Sequence, residues 1–502
     1  MPGDDSKEEI KAASTDEPSV PRDDKDNNKK RQNNNKNKRK WNKKGKIGKN
    51  HTWREGGQGD ADVDAGEKGS SGNKGRPLEK VHPGSYADPN MRELFQITLP
   101  PHLLPPAPEM NPTDRNAADA EGEKDAEKSR NFSKKKVAFL LAYIGAGYAG
   151  FQTNEGQRTL QAEFELALLK AELISPLNMG YFHKYSWSTS GRTDKGVHAC
   201  AQVCSAKIQV RPDQTLDDVR EVINQHLPED FRVLDVVRAT KSFCAKTGRS
   251  RVRYQYMIPS FCFFEREELR ALMAEIAPLE TAGSRDKGVP LSPVEVGHIQ
   301  DRIKNYRVKP EQLASLQQSL EKYVGTHSFH NFTKGLNSKD ASATRYIVSF
   351  QVEKPMIFKD GIEWVPTQVI GQSFLLHQIR KMISLGLDSV RMNMPDLVTS
   401  ALKKESRIRT NIAPAQGLFL EMSFYDGYNQ KMQYLPDVDE LEWDSEGTPG
   451  NDRWKQFRNE VIMDYIVTEE DNEGNFIQYL YNHEFYFDHT ENYELPVKKS
   501  GE

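Results

Sequence analysis

Cysteine is scarce in this chain: Cys200, Cys204, Cys244 and Cys262 are the four among 502 residues. None has CxxC spacing, and no histidine pair completes a zinc pattern. That excludes a disulfide scaffold and a zinc finger, and reads as reduced, partly buried thiols in an intracellular protein. Long apolar runs are missing as well. No stretch approaches about eighteen residues, so no membrane span is expected. The opening MPGDDSKEEIKAA lacks an apolar core and is acidic, which argues against a secretory or transit segment. Apolar residues make up 36% and charged residues 28%, with a mean hydropathy of −0.77. One packed body throughout would be less polar, so part of the chain is expected to be disordered.

Net charge is nearly absent too, at −3, but the total conceals an uneven spread. Residues 1–133 hold 25 basic and 24 acidic groups, and residues 436–502 hold 5 and 18. The body between them is left at +9. A basic body points to a polyanionic partner. Lys29 to Arg54 carries 12 Lys/Arg and no acid. Such a block is a nuclear-import signal, an arm that holds nucleic acid without sequence preference, or both.

The length suggests two to three domains, and composition divides the chain. Residues 1–90 read as a disordered arm and 91–133 as a proline-bearing linker. Residues 134–276 read as a first subdomain, 277–308 as a polar linker or insertion, and 309–430 as a second subdomain. An acidic extension, 431–502, follows. The continuous apolar run Val137–Ile144 predicts a buried strand. Strands are also expected at Gln202–Val210, Phe231–Val237, Val252–Ile258, 345–353, 363–370 and 417–423. Helices are expected after Thr159 and Thr215, at 309–323 and at 374–391. This mixture predicts an α+β fold. In the extension, the runs VIMDYIV and FIQYLYNHEFYF predict at least one helix packed on the body.

Gly145-Ala-Gly147-Tyr-Ala-Gly150 fits GxGxxG after a strand. However, no helix opens at the glycines and no acid ends a following strand about twenty residues on. A glycine-rich turn beside a cleft is the better reading. The segment STSGRTDKGVHACA, residues 188–201, is richer in chemistry. Gly191 and Gly196 allow tight turns, and Arg192 and Asp194 can face one cleft. A carboxylate there could be a nucleophile or a base, and the arginine could pair with it or with phosphate. A surface turn stapled by an Arg–Asp pair is equally open on these residues alone.

Gly191-Arg-Thr-Asp-Lys-Gly-Val-His-Ala199 resembles the GRTDxGVHA signature of TruA-type pseudouridine synthases. Phe243-x-Ala245 with Arg253-Tyr254-Gln255-Tyr256 resembles that family's FxA…RxYxY. Gly325-Thr-His-Ser-Phe-His-Asn-Phe332, Phe374-Leu375 with Gln378-Ile379-Arg380, and Ala413-Pro-Ala-x-Gly-Leu418 resemble three further elements, all in order across roughly 136–425. The longer eukaryotic, nuclear branch is the nearer likeness. The resemblance implies a two-subdomain core with a largely antiparallel mixed sheet, flanking helices and a central cleft. It also implies that uridine in RNA is isomerised to pseudouridine. Asp194 would be the catalytic carboxylate, with Tyr254 on the base and Arg380 paired to Asp194 as further catalytic residues. Arg192 would enter the RNA in place of the flipped nucleotide. Thr193, His198, Arg253 and Phe374 join Arg192 as substrate-binding candidates, although His198, His330, Tyr256 and Phe374 also suit structural roles.

Transfer RNA is the expected partner, with small nuclear and messenger RNA beside it and import machinery on the arm. The nucleus is the expected location. No metal and no cofactor are expected, since no His/Cys/Asp cluster has ligand spacing. A binding or RNA-folding module on the same scaffold is the alternative, and oligomeric state stays open.

Overall fold

The computed structural model describes residues 80–106, 132–277, 290–435 and 438–493, all within the unit Gly75–Glu502. The basic block Lys29–Arg54, the greater part of the expected linker and residues 278–289 lie outside the described residues.

Among the described residues, ten strands build one sheet. They are β1 (Ser133–Tyr143), β2 (Ser188–Thr189), β3 (His198–Val210), β4 (Phe231–Arg238), β5 (Arg251–Pro259), β6 (Gly325–Ser328), β7 (Thr344–Val352), β8 (Met356–Ile357), β9 (Glu363–Gly371) and β10 (Leu418–Phe424). The order is β4-β1-β3-β10-β5-β9-β7-β6, with β2 on β3 and β8 on β9. β10 runs parallel to β3, and the other pairings are antiparallel. The α+β expectation holds. β10 comes from the second half of the chain yet lies between β3 and β5 of the first, so the halves share one sheet.

β1 is fully buried from Val137 to Tyr143. A strand covered on both faces needs no polar alternation, which is why it reads as an unbroken apolar run. Thr215 caps the helix Leu216–Asn224 through a capping box with Asp218. Thr159 precedes the helix Leu160–Lys170 but makes no side-chain cap. The helix expected from 374 starts at Gln378, because His377 adopts a left-handed φ of 62° just before it.

The end of the expected disordered arm, residues 80–90, and the described parts of the expected linkers 91–133 and 277–308 are folded, against expectation. In residues 80–106, Tyr86, Ala87, Met91, Leu99 and Leu103 are buried, around the helix Pro89–Leu94. Ser85 Oγ donates to Glu165 Oε2 at 2.6 Å, and Tyr86 OH donates to Glu163 Oε1 at 2.9 Å. The buried residues are too widely spaced by prolines and polar residues to give a period. Within 277–308, the helix Pro293–Ile303 buries Val296, Ile299 and Ile303 behind a Ser292–Glu295 capping box. Pro293 stands in its first turn, where no amide donor is needed, so the proline opens a helix here rather than breaking one.

The extension packs as expected. The helices Pro449–Phe457, Met463–Glu473 and Asn475–Phe485 bury Trp454, Ile466, Phe476 and Leu480, among others.

Candidate active site

The loop 190–198 joins β2 to β3 and is tied down on both sides of Asp194. The Gly191 carbonyl accepts from Gln202 Nε2 at 2.8 Å and from Thr189 Oγ1 at 2.9 Å. The Thr193 carbonyl accepts from the Phe151 amide at 3.1 Å, and its hydroxyl meets Tyr143 OH at 2.9 Å. After the aspartate, the Val197 amide donates to the Asp194 carbonyl at 3.1 Å. His198 is fully buried. Its Nδ1 accepts the Gly145 amide at 3.0 Å, which leaves Nε2 to donate to the Gln416 carbonyl at 3.1 Å. Burial pushes this imidazole down to about 4, so it is held neutral. A Cβ on Gly145 would lie 2.1 Å from the Val197 carbonyl oxygen. The glycine-rich turn is therefore a cradle for this loop, and the dinucleotide reading is set aside.

Thr193 and His198 hold the loop in this structure, the structural role that His198 was also expected to suit. Asp194 remains half-exposed and Arg192 exposed.

Opposite the loop, β5 supplies Tyr254. Its ring meets Phe374 edge-on, with centroids 5.4 Å apart. The phenol is pushed up to about 12, chiefly by burial; Arg249 pulls it down and Asp194 pushes it up. Arg380 lies in the first turn of the helix Gln378–Arg391. Its Nε donates to the Ala413 carbonyl at 2.6 Å. Burial lowers this guanidinium, against the opposing pull of Tyr256 and Asp194. Arg380 and Asp194 therefore interact through space, whereas the resemblance implied a direct pair. None of the ion pairs formed among the described residues joins them.

Arg253 stands apart from this set. Neighbours on a strand face opposite sides of a sheet, so Arg253 leaves the face that Tyr254 uses. Its Nε donates to Glu421 Oε2 at 2.5 Å, and its two Nη groups donate to the Asp444 carboxylate at 2.9 and 2.7 Å. That bidentate geometry, with Glu421 beside it, cancels its charge within the protein. Arg253 anchors the extension to the sheet.

His377 and Arg249 are site residues that sequence reasoning missed. Burial lowers the His377 imidazole, while Asp194 acts to raise it and Arg380, Lys381 and Lys334 lower it further. It stands inside the Phe374–Arg380 motif, but nothing there reveals the left-handed turn that aims it. Arg249 is felt by Tyr254 and reaches Gly191. Together these groups form a half-buried carboxylate among basic side chains, with an aromatic wall and a neutral phenol. The set suits attack on, or proton removal from, a polyanionic substrate.

Sequence spacing gave no metal cluster, yet Asp388, His483 and His489 converge under the extension. His483 Nε2 lies 2.7 Å from Asp388 Oδ1, and the two Nε2 atoms are 3.2 Å apart. Arg266 Nη2 lies 3.0 Å from His489 Nδ1. Arginine can only donate, so Nδ1 accepts and the proton of a neutral His489 sits on Nε2. In this arrangement His489 Nε2 has no lone pair for a metal, and the cluster is held by the His483–Asp388 and Arg266–His489 bonds, since His483 Nε2 donates to Asp388 and cannot accept from His489.

A family model described as tRNA pseudouridine synthase matches residues 320–426. The tRNA pseudouridine synthase 1 of Yarrowia lipolytica is 34% identical over 388 residues, covering 67% of this chain and 72% of that protein. The pseudouridylate synthase 1 homolog of Mus musculus is 33% identical over 372 residues, covering 73% and 78%. The tRNA pseudouridine synthase 1 of Saccharomyces cerevisiae is 29% identical over 353 residues, covering 61% and 64%.

Proposed function

Since the chain belongs to the tRNA pseudouridine synthase family, and is an isomerase by that membership, we propose that Asp194 carries the conversion of uridine to pseudouridine in transfer RNA. The observation that carries this reading is the placement of Asp194. The loop pins its neighbours, while its side chain stays half-exposed and acts on Tyr254, His377 and Arg380.

The N1–C1′ bond of uridine breaks, the base turns, and C5 bonds to C1′. C5 loses a proton and N1 gains one. Asp194 either attacks C1′ or takes the 2′ proton to give a glycal. Tyr254 stacks on the everted base with its phenol neutral, beside Phe374. Arg380 orients the carboxylate electrostatically from its anchor on Ala413. Arg192, exposed on the loop, fills the stack that the base leaves; eversion costs a few kcal/mol, which phosphate contacts offset.

The relatives named for transfer RNA support that substrate. We extend it to small nuclear and messenger RNA, and assign the protein to the nucleus with Lys29–Arg54 as the import signal. The block's basic composition supports the import role. Loss of nuclear accumulation on its deletion checks that assignment.

Purified wild type and Asp194→Asn are incubated with transfer RNA, and pseudouridine is quantified. Asp194→Asn loses at least about 10³-fold in rate, with RNA affinity and thermal melt close to wild type. A folded variant that still converts uridine at the wild-type rate contradicts the assignment. The binding-module alternative instead requires a wild type with no turnover and an Asp194→Asn variant that binds RNA as the wild type does.

A further inference from the structure

Arg249 lies just before β5, Arg251 and Arg253 follow it at two-residue spacing on the strand, and the protein treats them differently. Arg251 Nε lies 3.2 Å from Asp426 Oδ2, with its guanidinium over the Phe424 ring. Arg253 is paired with Glu421 and Asp444. Arg249 takes part in none of the ion pairs among the described residues. Its Nη2 donates to the Gln372 carbonyl at 3.2 Å, and its Nε is buried without a partner. A carbonyl satisfies a donor but does not neutralise the charge. A half-buried guanidinium in that state is poorly compensated.

Its position is specific. A Cβ on Gly191 would lie 2.9 Å from Arg249 Nη1, so the bare glycine of the GRTD loop is what lets the guanidinium come this close. On the other side its charge reaches the Tyr254 phenol. Arg249 thus stands between the loop that carries Asp194 and the tyrosine, with a donor unspent. Bidentate, planar recognition of a phosphate is what such a guanidinium does best.

We propose that Arg249 is the subsite for a backbone phosphate beside the everted nucleotide, positioning the ribose against Asp194. This rests on Asp194 being the catalytic carboxylate. Before RNA arrives, the Gln372 carbonyl holds the side chain in the cleft. The incoming phosphate then pairs with the terminal Nη groups and neutralises the charge.

The test compares Arg249→Met, Arg249→Lys and Gly191→Ala with the full-length wild type. Transfer RNA affinity is measured against salt, and steady-state turnover and a thermal melt are measured beside it. Arg249→Met should raise KM about tenfold or more. The log–log salt slope should shrink by about 0.7–0.9, the loss of one phosphate contact. The melt should be near wild type. Arg249→Lys should keep the slope while raising KM, since a lysine retains the charge without the fork. Gly191→Ala should raise KM by displacing the guanidinium. A lowered melt with an unchanged slope in Arg249→Met would overturn the proposal and make Arg249 a structural tie to Gln372. Because the slope is read from binding, it stands apart from the Asp194 test. A shrunken slope with an active Asp194→Asn variant would refute the catalytic assignment and leave a phosphate contact of another purpose.

Discussion

Under the C-terminal extension, Arg253 meets Glu421 and Asp444, Arg458 meets Glu421 at 2.9 Å, and Arg266 and Arg391 converge on Glu484. In the cleft, Arg249 and Arg380 donate to the main-chain carbonyls of Gln372 and Ala413. Under the extension the charges are cancelled by carboxylates within the protein; in the cleft a carbonyl takes one donor of each guanidinium and the charge is left over. The contrast teaches that an arginine's role here is set by what faces it. Carboxylates that are brought from far along the chain turn basic residues into fasteners. A carbonyl in the same place leaves them available to phosphate.

The contrast can be broken hardest at its most buried pair. Arg391 Nη2 and Glu484 Oε1 are 2.7 Å apart with both side chains almost wholly inaccessible, although their angle falls outside hydrogen-bond geometry. Glu484→Gln strands the Arg391 charge, at a cost of about 3–5 kcal/mol in chemical denaturation. Turnover should fall only as far as the folded fraction does. A variant of wild-type stability would show that the extension is not held by its charges.

Truncation sharpens the boundary of the folded body. Removing residues 1–79 should leave the melt of the full chain. Removing residues 1–94 strips the buried Tyr86 and Met91 and should cost about 3 kcal/mol or more. Equal melts for the two would mean that residues 80–94 contribute nothing.

The loop that carries Asp194 should be acid-labile through His198. Its folded value of about 4 lies below the ordinary 6.5, so the unfolded chain takes up the proton first. Stability contributed by this group is full above pH 6.5 and falls as pH drops toward 4, by on the order of 3 kcal/mol. The acid slope of the wild type should exceed that of His198→Gln in this window. Parallel curves would show that the imidazole is charged in the native state.

Tyr254→Phe should have the smallest effect. With the phenol pushed up to about 12, stacking does not require the hydroxyl, and kcat should fall by less than about tenfold, or 1.4 kcal/mol. A loss beyond about 10²-fold would make the phenol a proton carrier.

Much of this was legible in the sequence. The unbroken run of β1, the helix-capping Thr215 and the Gly191–Ala199 segment are local signals, and each led to the right element. What escaped was decided at a distance. Arg253 reads like its motif neighbour Tyr254, but strand alternation turns it away, toward Asp444 at the far end of the chain. His198 keeps the chemistry of a base until Gly145 and Gln416 occupy both its nitrogens. His377 becomes part of the site through one left-handed φ. The 80–106 strap buries residues too sparse to form a pattern.

The salt dependence of transfer RNA affinity in Arg253→Met tests the division of charge most directly, because sequence resemblance placed Arg253 on the RNA. The division predicts a log–log slope equal to wild type, together with a clearly lowered melt. A slope smaller by about 0.7–0.9, with the melt intact, would put Arg253 on the phosphate backbone and contradict it.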